Sequence, residues 1–255
     1  MTEPTVTSPY DFKSMLFVED PFETIELDGI DGEGVDVDVQ GWGANHGIFR
    51  QVMALLKPAT VIELGTWKGA SAIHMAELMK ENGIAGQILC VDNFIGFPSY
   101  YLRPEQAHAE FKIKGGIPRL YWTFMKNVAD AGHQDIITPL VQQTENAAQI
   151  CKGRRVRADM IYVDGDHSYE GCRKDLENFD PVLGENGFFL CDDYQWEGAK
   201  QAIDEYIAAT GCNHVIAGNK VLMAKKRDLT PVADIMAEMA AKQALHKKRK
   251  AEAGQ

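Results

Sequence analysis

Thr60-Val61-Ile62-Glu63-Leu64-Gly65-Thr66-Trp67-Lys68-Gly69 joins a short apolar run to a turn bounded by two glycines. The run TVIEL predicts a buried strand over 60–64. Glycines at 65 and 69 permit unusual dihedrals and close approach of a ligand to the main chain. Ser71 to Glu81 follows as a helix, closed by Asn82-Gly83. Gln87 to Val91 reads as a second strand, with Asp92 at its C-terminal end. Strand, turn, helix and strand make a βαβ unit. The turn is not the GxGxxG dinucleotide fingerprint. It also lacks the leading glycine and the GK[ST] ending of a P-loop. Asp92, one crossover later, can accept hydrogen bonds from both hydroxyls of a ribose. Turn and acid together point to an adenosine-bearing ligand.

Outward from this unit the α/β alternation continues. Asn45 to Leu56 predicts a helix, with Ile48, Val52, Leu55 and Leu56 at helical spacing and Pro58 stopping it. Asp135 to Pro139 predicts the third strand, Asn146 to Lys152 a short helix, and Met160 to Val163 the fourth strand. Tyr169 to Phe179 reads as a helix, Gly187 to Cys191 as the fifth strand, and Gly198 to Ala209 as a helix closed by Gly211. His214 to Ala217 and Lys220 to Ala224 form a terminal hairpin turning at Gly218-Asn219. The fold class is therefore α/β: a Rossmann-like, seven-stranded, mostly parallel sheet ending in an antiparallel hairpin. Residues 93–134 hold eight aromatic residues and one plausible helix, Pro118 to Ala131. So long a connection reads as an inserted element that is a lid, a packing seam or a dimer contact. The expected organisation is an N-terminal extension over 1–44, a ligand-binding domain over 45–228, and a C-terminal helix with a basic tail over 229–255. That helix carries Val232, Ile235, Met236 and Met239 on one face, and the run Lys247-Lys248-Arg249-Lys250 reads as its solvated end. Leu27 to Gly34 reads as a glycine-rich loop without the order of a calcium loop.

Length and composition agree with one soluble domain: 255 residues, 45% hydrophobic and 25% charged. A formal net charge of -11 disfavours nucleic acid or an anionic membrane as the main partner. The five cysteines are scattered without CxxC, which argues against a disulfide scaffold or zinc knuckle, and Cys90 and Cys191 read as buried thiols. No signal peptide or membrane span is visible, so a reducing cytoplasm is the expected location. Oligomeric state is left open.

Two acidic clusters follow the fourth and fifth strands: Asp164-Gly165-Asp166-His167-Ser168-Tyr169-Glu170 and Cys191-Asp192-Asp193-Tyr194. Both belong at the edge of the sheet that carries the glycine turn. Gathered carboxylates repel each other, and a hard divalent cation removes that cost. The expected metal ligands are Asp164, Asp192 and Asp193, with Mg²⁺ suited to the oxygen set and manganese or calcium also open. Asp166 and His167 are candidates to take a proton. His167 is equally suited to hydrogen-bond a metal-ligating carboxylate.

These motifs resemble class I S-adenosylmethionine (SAM)-dependent methyltransferases, whose first strand ends in an acid and runs into a glycine-rich loop. VDGDHSYEGCRKDLENF with LCDDY is similar to the metal-dependent small-molecule O-methyltransferases, which include catechol-type and antibiotic-pathway sugar enzymes. The resemblance spans roughly residues 58–225. It implies that Glu63 orients the methionine amino group, that Gly65 passes close to it, and that Asp92 holds the ribose. The donor set would also include Thr66, Trp67, Gly69, Ser71 and Asp164, with Gln143 and Thr144 beside the adenine. Trp67 stands where a glycine is common. In the sugar branch the second aspartate of DGD, here Asp166, is the proposed base. The catechol-type lysine is absent from 164–170, which favours the sugar-like branch.

The implied reaction is methyl transfer from SAM to a hydroxyl of a small hydroxylated acceptor, with a divalent cation. Related proteins that act in hydroxylation or methoxylation of a cephalosporin nucleus keep a second reading open, and a non-catalytic SAM-binding module is a third. A nicotinamide dehydrogenase is disfavoured by the missing GxGxxG. Methylation of RNA or protein is disfavoured by the acidic charge and by the lack of an Asn-Pro-Pro-Tyr-like site.

Overall fold

The computed structural model describes residues 5–25 and 35–253, with only the backbone for 243–249 and 251–253. The loop read over Leu27 to Gly34 lies outside the described residues. Seven strands form the central sheet: β1 (Thr60–Leu64), β2 (Gln87–Asp92), β3 (Ile137–Val141), β4 (Ala158–Val163), β5 (Leu183–Cys191), β6 (Asn213–Ala217) and β7 (Lys220–Ala224). Their order is 3-2-1-4-5-7-6. The first five run parallel, while β7 pairs antiparallel with both β5 and β6. The expected architecture, hairpin included, is the one observed.

Side-chain alternation in the inner strands sorts the core into two layers. Val61, Met160 and Tyr162 face one layer; Ile62, Leu64, Ile161 and Val163 face the other. Helices α1 (Gly47–Leu55), α2 (Ala70–Glu81), α3 (Leu120–Asp130) and α7 (Thr230–Ala253) bury residues in or against the first layer. Helices α4 (Thr144–Gly153), α5 (Tyr169–Phe179) and α6 (Glu197–Thr210) cover the second. On α7, Val232 is fully buried and Met236 packs against the core, while Met239 reaches Gln51 and Gly47 on α1. All five cysteines are free and buried. Among the described residues, no helix is long and apolar enough to cross a membrane.

Strand β3 departs from expectation: it runs two residues past Pro139 to Val141. The sheet order makes it an edge strand, where proline's missing N–H costs no ladder bond. Its start is delayed because the Ile136 and Ile137 amides still donate to the His133 carbonyl. In the 93–134 connection, α3 is the crossover helix. Two short helices, Pro98–Tyr101 and Pro104–Phe111, form the added element before it.

The Gly65 main chain sits directly under the loop after β4. Its φ is +82°, and a Cβ there would lie 2.2 Å from the Asp164 carbonyl oxygen. Gly83 also has positive φ (+65°) but open space around it. Gly65→Ala is therefore expected to cost at least about 3 kcal/mol, strain plus collision. Gly83→Ala should cost about 1 kcal/mol from conformation alone. Urea unfolding of both variants checks this, and equal losses would contradict it.

Candidate functional site

The parallel strands bring their C-terminal ends to one edge, and the antiparallel β7 brings its first residue, Lys220, to that same edge. On the β1–β2–β3 side lies a cavity of about 470 Å³, within the usual range for a small-molecule site. Gly65, Trp67, Asp92, Gln143, Thr144 and Asp166 are among its lining residues. Asp92 Oδ2 accepts the Trp67 amide (2.9 Å) and Oδ1 the Phe94 amide (2.7 Å), which fixes the carboxylate at the cavity lining. Burial raises the Asp92 pKa, against these backbone hydrogen bonds.

Thr66 and Ser71 both bond to Glu63 beneath the turn. The Thr66 hydroxyl donates to Glu63 Oε2 (2.8 Å), and the Ser71 hydroxyl donates to Oε1. Burial raises the Glu63 pKa, and these two hydroxyl donors oppose the rise. None of the three lines the cavity. Gly69 closes the turn as the residue before α2 and packs on Phe124.

The aromatic element is a packing seam anchored on the turn. Trp67 lies against Phe97 (5.8 Å between centroids), Tyr100 (6.1 Å) and Phe111 (5.6 Å). Its neighbour Lys68 is buried and ties three segments together. The ammonium reaches Asp38 (2.6 Å) and Gln40 (3.1 Å) from the N-terminal region and Glu110 from the second inserted helix. Asn127 on α3 adds hydrogen bonds to the Asp38 main chain and the Lys68 carbonyl.

The acidic clusters meet across β4, β5 and β7, and they divide. Ligand atoms of Asp164, His167 and Asp193 lie within 4.8 Å of one another. His167 Nδ1 is 2.8 Å from Asp193 Oδ2, and its ring stacks on Trp196 and lies tilted against Phe97 (6.1 Å to each). The Asp193 hydrogen bond raises the His167 pKa, against burial. Burial and the Asp192 charge push the Asp164 carboxyl well above the usual range. Two carboxylates and an imidazole so placed fit a divalent cation. Asp192 is placed differently. Its Oδ2 takes the Lys220 ammonium and lies 2.7 Å from the Tyr162 hydroxyl; its Oδ1 accepts from Asn219 (2.7 Å) and the Asp193 amide (2.8 Å). Asp166 lies on the cavity side, with Oδ1 accepting the Ser168 amide (2.8 Å).

Residues 62–194, just over half the chain, match a family described as a methyltransferase domain. The chain belongs to this methyltransferase family. A relative from Streptomyces olivaceus, 8-demethyl-8-(2,3-dimethoxy-α-L-rhamnosyl)-tetracenomycin-C 4'-O-methyltransferase, is 24% identical over 163 residues. That match covers 63% of this chain and 62% of the relative, so the chain spans less than two thirds of the relative's length. The structure of the O-methyltransferase NovP is similar with a TM-score of 0.52 at 18% identity, over 72% of this chain and 80% of that one. The calicheamicin methyltransferase CalS11 gives 0.50 at 18% identity, over 71% and 76%. At such identities the two structures show the fold, Rossmann-like with the terminal hairpin.

Three residues of this methyltransferase edge escaped the sequence reading: Lys220, Tyr162 and Asp175. Lys220 opens a strand whose every residue is buried, and a lone lysine before an apolar VLMA run is the signal that was there to find. Tyr162 sits within the apolar MIYV run. Asp175, on α5, lines the cavity and takes a hydrogen bond from Thr144, yet burial pushes its carboxyl up to about 7.

The native state thus keeps the Asp175 proton where the unfolded chain has lost it. Its contribution to stability falls as pH rises from the ordinary carboxylate range to about 7, then levels off. Asp175→Asn cannot titrate. Between about pH 4 and pH 8 it should lose less stability than the wild type, by roughly 1–4 kcal/mol. Urea midpoints of the ligand-free proteins check this, and parallel profiles would contradict it.

Proposed function

We propose that the protein transfers a methyl group from SAM to a hydroxyl of a small hydroxylated molecule, assisted by a divalent cation. The observation that carries this reading is the cavity between Gly65 and Asp92, whose carboxylate is held in place at its lining by backbone amides. Asp92 would hold the ribose and the Gly65 main chain would approach the methionine moiety. Gln143 and Thr144 would meet the adenine. Glu63, Thr66 and Ser71 would act by bracing the turn, since their side chains satisfy each other.

SAM supplies an electrophilic methyl group, so the protein's work is alignment and proton removal. A divalent cation beside Asp164 and Asp193, Mg²⁺ among the choices, would supply acidification of the acceptor hydroxyl. Asp166 would take the proton. It is exposed, lies at the rim of the cavity, and has only one oxygen engaged by Ser168. Phe97 and Trp196, both exposed at their outer faces, flank His167 and offer flat surfaces to an acceptor ring. The relative named as a 4'-O-methyltransferase of a rhamnosyl tetracenomycin supports a glycosylated natural product as the acceptor class. The acidic protein would work on this small molecule in the cytoplasm, without nucleic acid or membrane. Its domain would span 45–228, with 1–44 and 229–255 as extensions.

Calorimetry with S-adenosylhomocysteine should show binding that Asp92→Ala weakens at least about tenfold. Glycosides and catechols should accept label from methyl-labelled SAM. Asp166→Asn should lower kcat by roughly 10²-fold or more at saturating SAM. No heat with S-adenosylhomocysteine, together with no labelled product, would overturn the proposal.

A further inference from the structure

The Lys220 ammonium is completely buried, 0% exposed, at the edge where the acidic clusters meet. A buried ammonium needs a charged partner and satisfied protons. It has both: Asp192 Oδ2, and the Tyr162 hydroxyl at 2.8 Å. The faces of Phe49 and Tyr162 lie 5.3 and 5.0 Å away and add cation–π attraction. His46 and Asn219 complete the surroundings. The Gly43 main chain lies over Lys220 and Asn219, and His46 feels the charges of both Lys220 and Asp192.

Asp192 is consequently saturated. Both of its oxygens are occupied, each by two donors. Drawing it onto a cation would strip Lys220 of its counter-ion in a dry site, which costs more than a surface pair would. Asp164 and Asp193 are less encumbered. Asp164 is reached by the single Tyr162 hydroxyl proton, which Asp192 shares, at 2.9 Å. Asp193 is reached by His167, an exchangeable partner that is itself a ligand type.

We infer that Lys220 is a built-in counter-cation that holds Asp192 off the metal, so that this chain binds its divalent ion through Asp164, His167 and Asp193. The inference rests on the cation-assisted reading above and departs from the sequence expectation, which had Asp192 in the ligand set. Lys220 acts through Asp192 and is a positioning residue. One imidazole nitrogen in place of a carboxylate oxygen moves the preference from Mg²⁺ toward ions that take nitrogen, such as Fe²⁺ or Zn²⁺, and Mn²⁺ serves as the spectroscopic probe.

The test is Mn²⁺ binding to the full-length protein, followed by the electron paramagnetic resonance of free Mn²⁺, with S-adenosylhomocysteine titrated separately. Lys220→Met releases Asp192 and should tighten Mn²⁺ at least about tenfold. If that variant unfolds, the double variant Lys220→Met/Asp192→Asn removes both charges together. It should bind Mn²⁺ within about threefold of the wild type. Asp164→Asn and His167→Ala should each weaken binding at least about tenfold. Loss of Mn²⁺ binding in the double variant, or an unchanged affinity in His167→Ala, overturns the inference, as does a failure of every form to bind Mn²⁺. Binding by Lys220→Met but not by the wild type also overturns it, because Asp164, His167 and Asp193 would then hold no ion in the native chain. Failure of the wild type to bind S-adenosylhomocysteine would remove the methyl-donor reading and leave the Mn²⁺ result standing.

Discussion

The Gly65 main chain and the Asp164 carbonyl are pressed so closely together that no side chain fits between them. This contact joins the turn after β1 to the loop after β4. One carries the expected methyl-donor site and the other opens the acidic edge. Parallel pairing of β1 with β4 sets the height of both, and the Asp164 amide donates to the Leu64 carbonyl to lock them. Everything proposed for the reaction depends on that fixed spacing, because methyl transfer needs donor and acceptor in line. The Trp67 amide on Asp92 extends the same constraint to β2. Three strand ends are thereby held as one rigid floor.

Around this floor two buried lysines gather carboxylates. Lys68 gathers Asp38, Gln40 and Glu110, pinning the N-terminal segment and the aromatic element over the turn. Lys220 gathers Asp192 and Tyr162 under the acidic edge. A net-negative chain with few cations to spare places two of them where carboxylates crowd. Buried pairs of this kind add little net stability but fix geometry when every donor is satisfied. The consequence proposed at β5 is a division of labour between neighbours: Asp192 would brace the edge through Lys220, and Asp193 would face the ligand side.

Much of this was legible in the sequence. Apolar runs of four to six residues, each followed by glycine or aspartate, marked β1, β2, β4 and β5, and the Gly218-Asn219 turn marked the hairpin. The grouping of Asp92, Asp164, Asp192 and Asp193 at one edge followed from strand polarity alone. Pro139 misled because its tolerance depends on β3 being an edge strand, a property of sheet order. Lys68, Lys220 and Asp175 stayed hidden for a related reason: their partners lie far off in sequence, and a lysine or aspartate on an exposed hairpin or helix looks the same in one dimension. The expectation of Asp192 as a metal ligand did not take in Lys220, which places a buried ammonium on Asp192 from the start of an otherwise apolar strand.

The most direct measurement is a crystal structure of the full chain with S-adenosylhomocysteine and Mn²⁺, using anomalous scattering to place the ion. The account predicts adenosine between Gly65 and Asp92, the ion among Asp164, His167 and Asp193, and Asp192 still on Lys220. Adenosine bound elsewhere, or an ion held by Asp192 with Lys220 displaced, would contradict it.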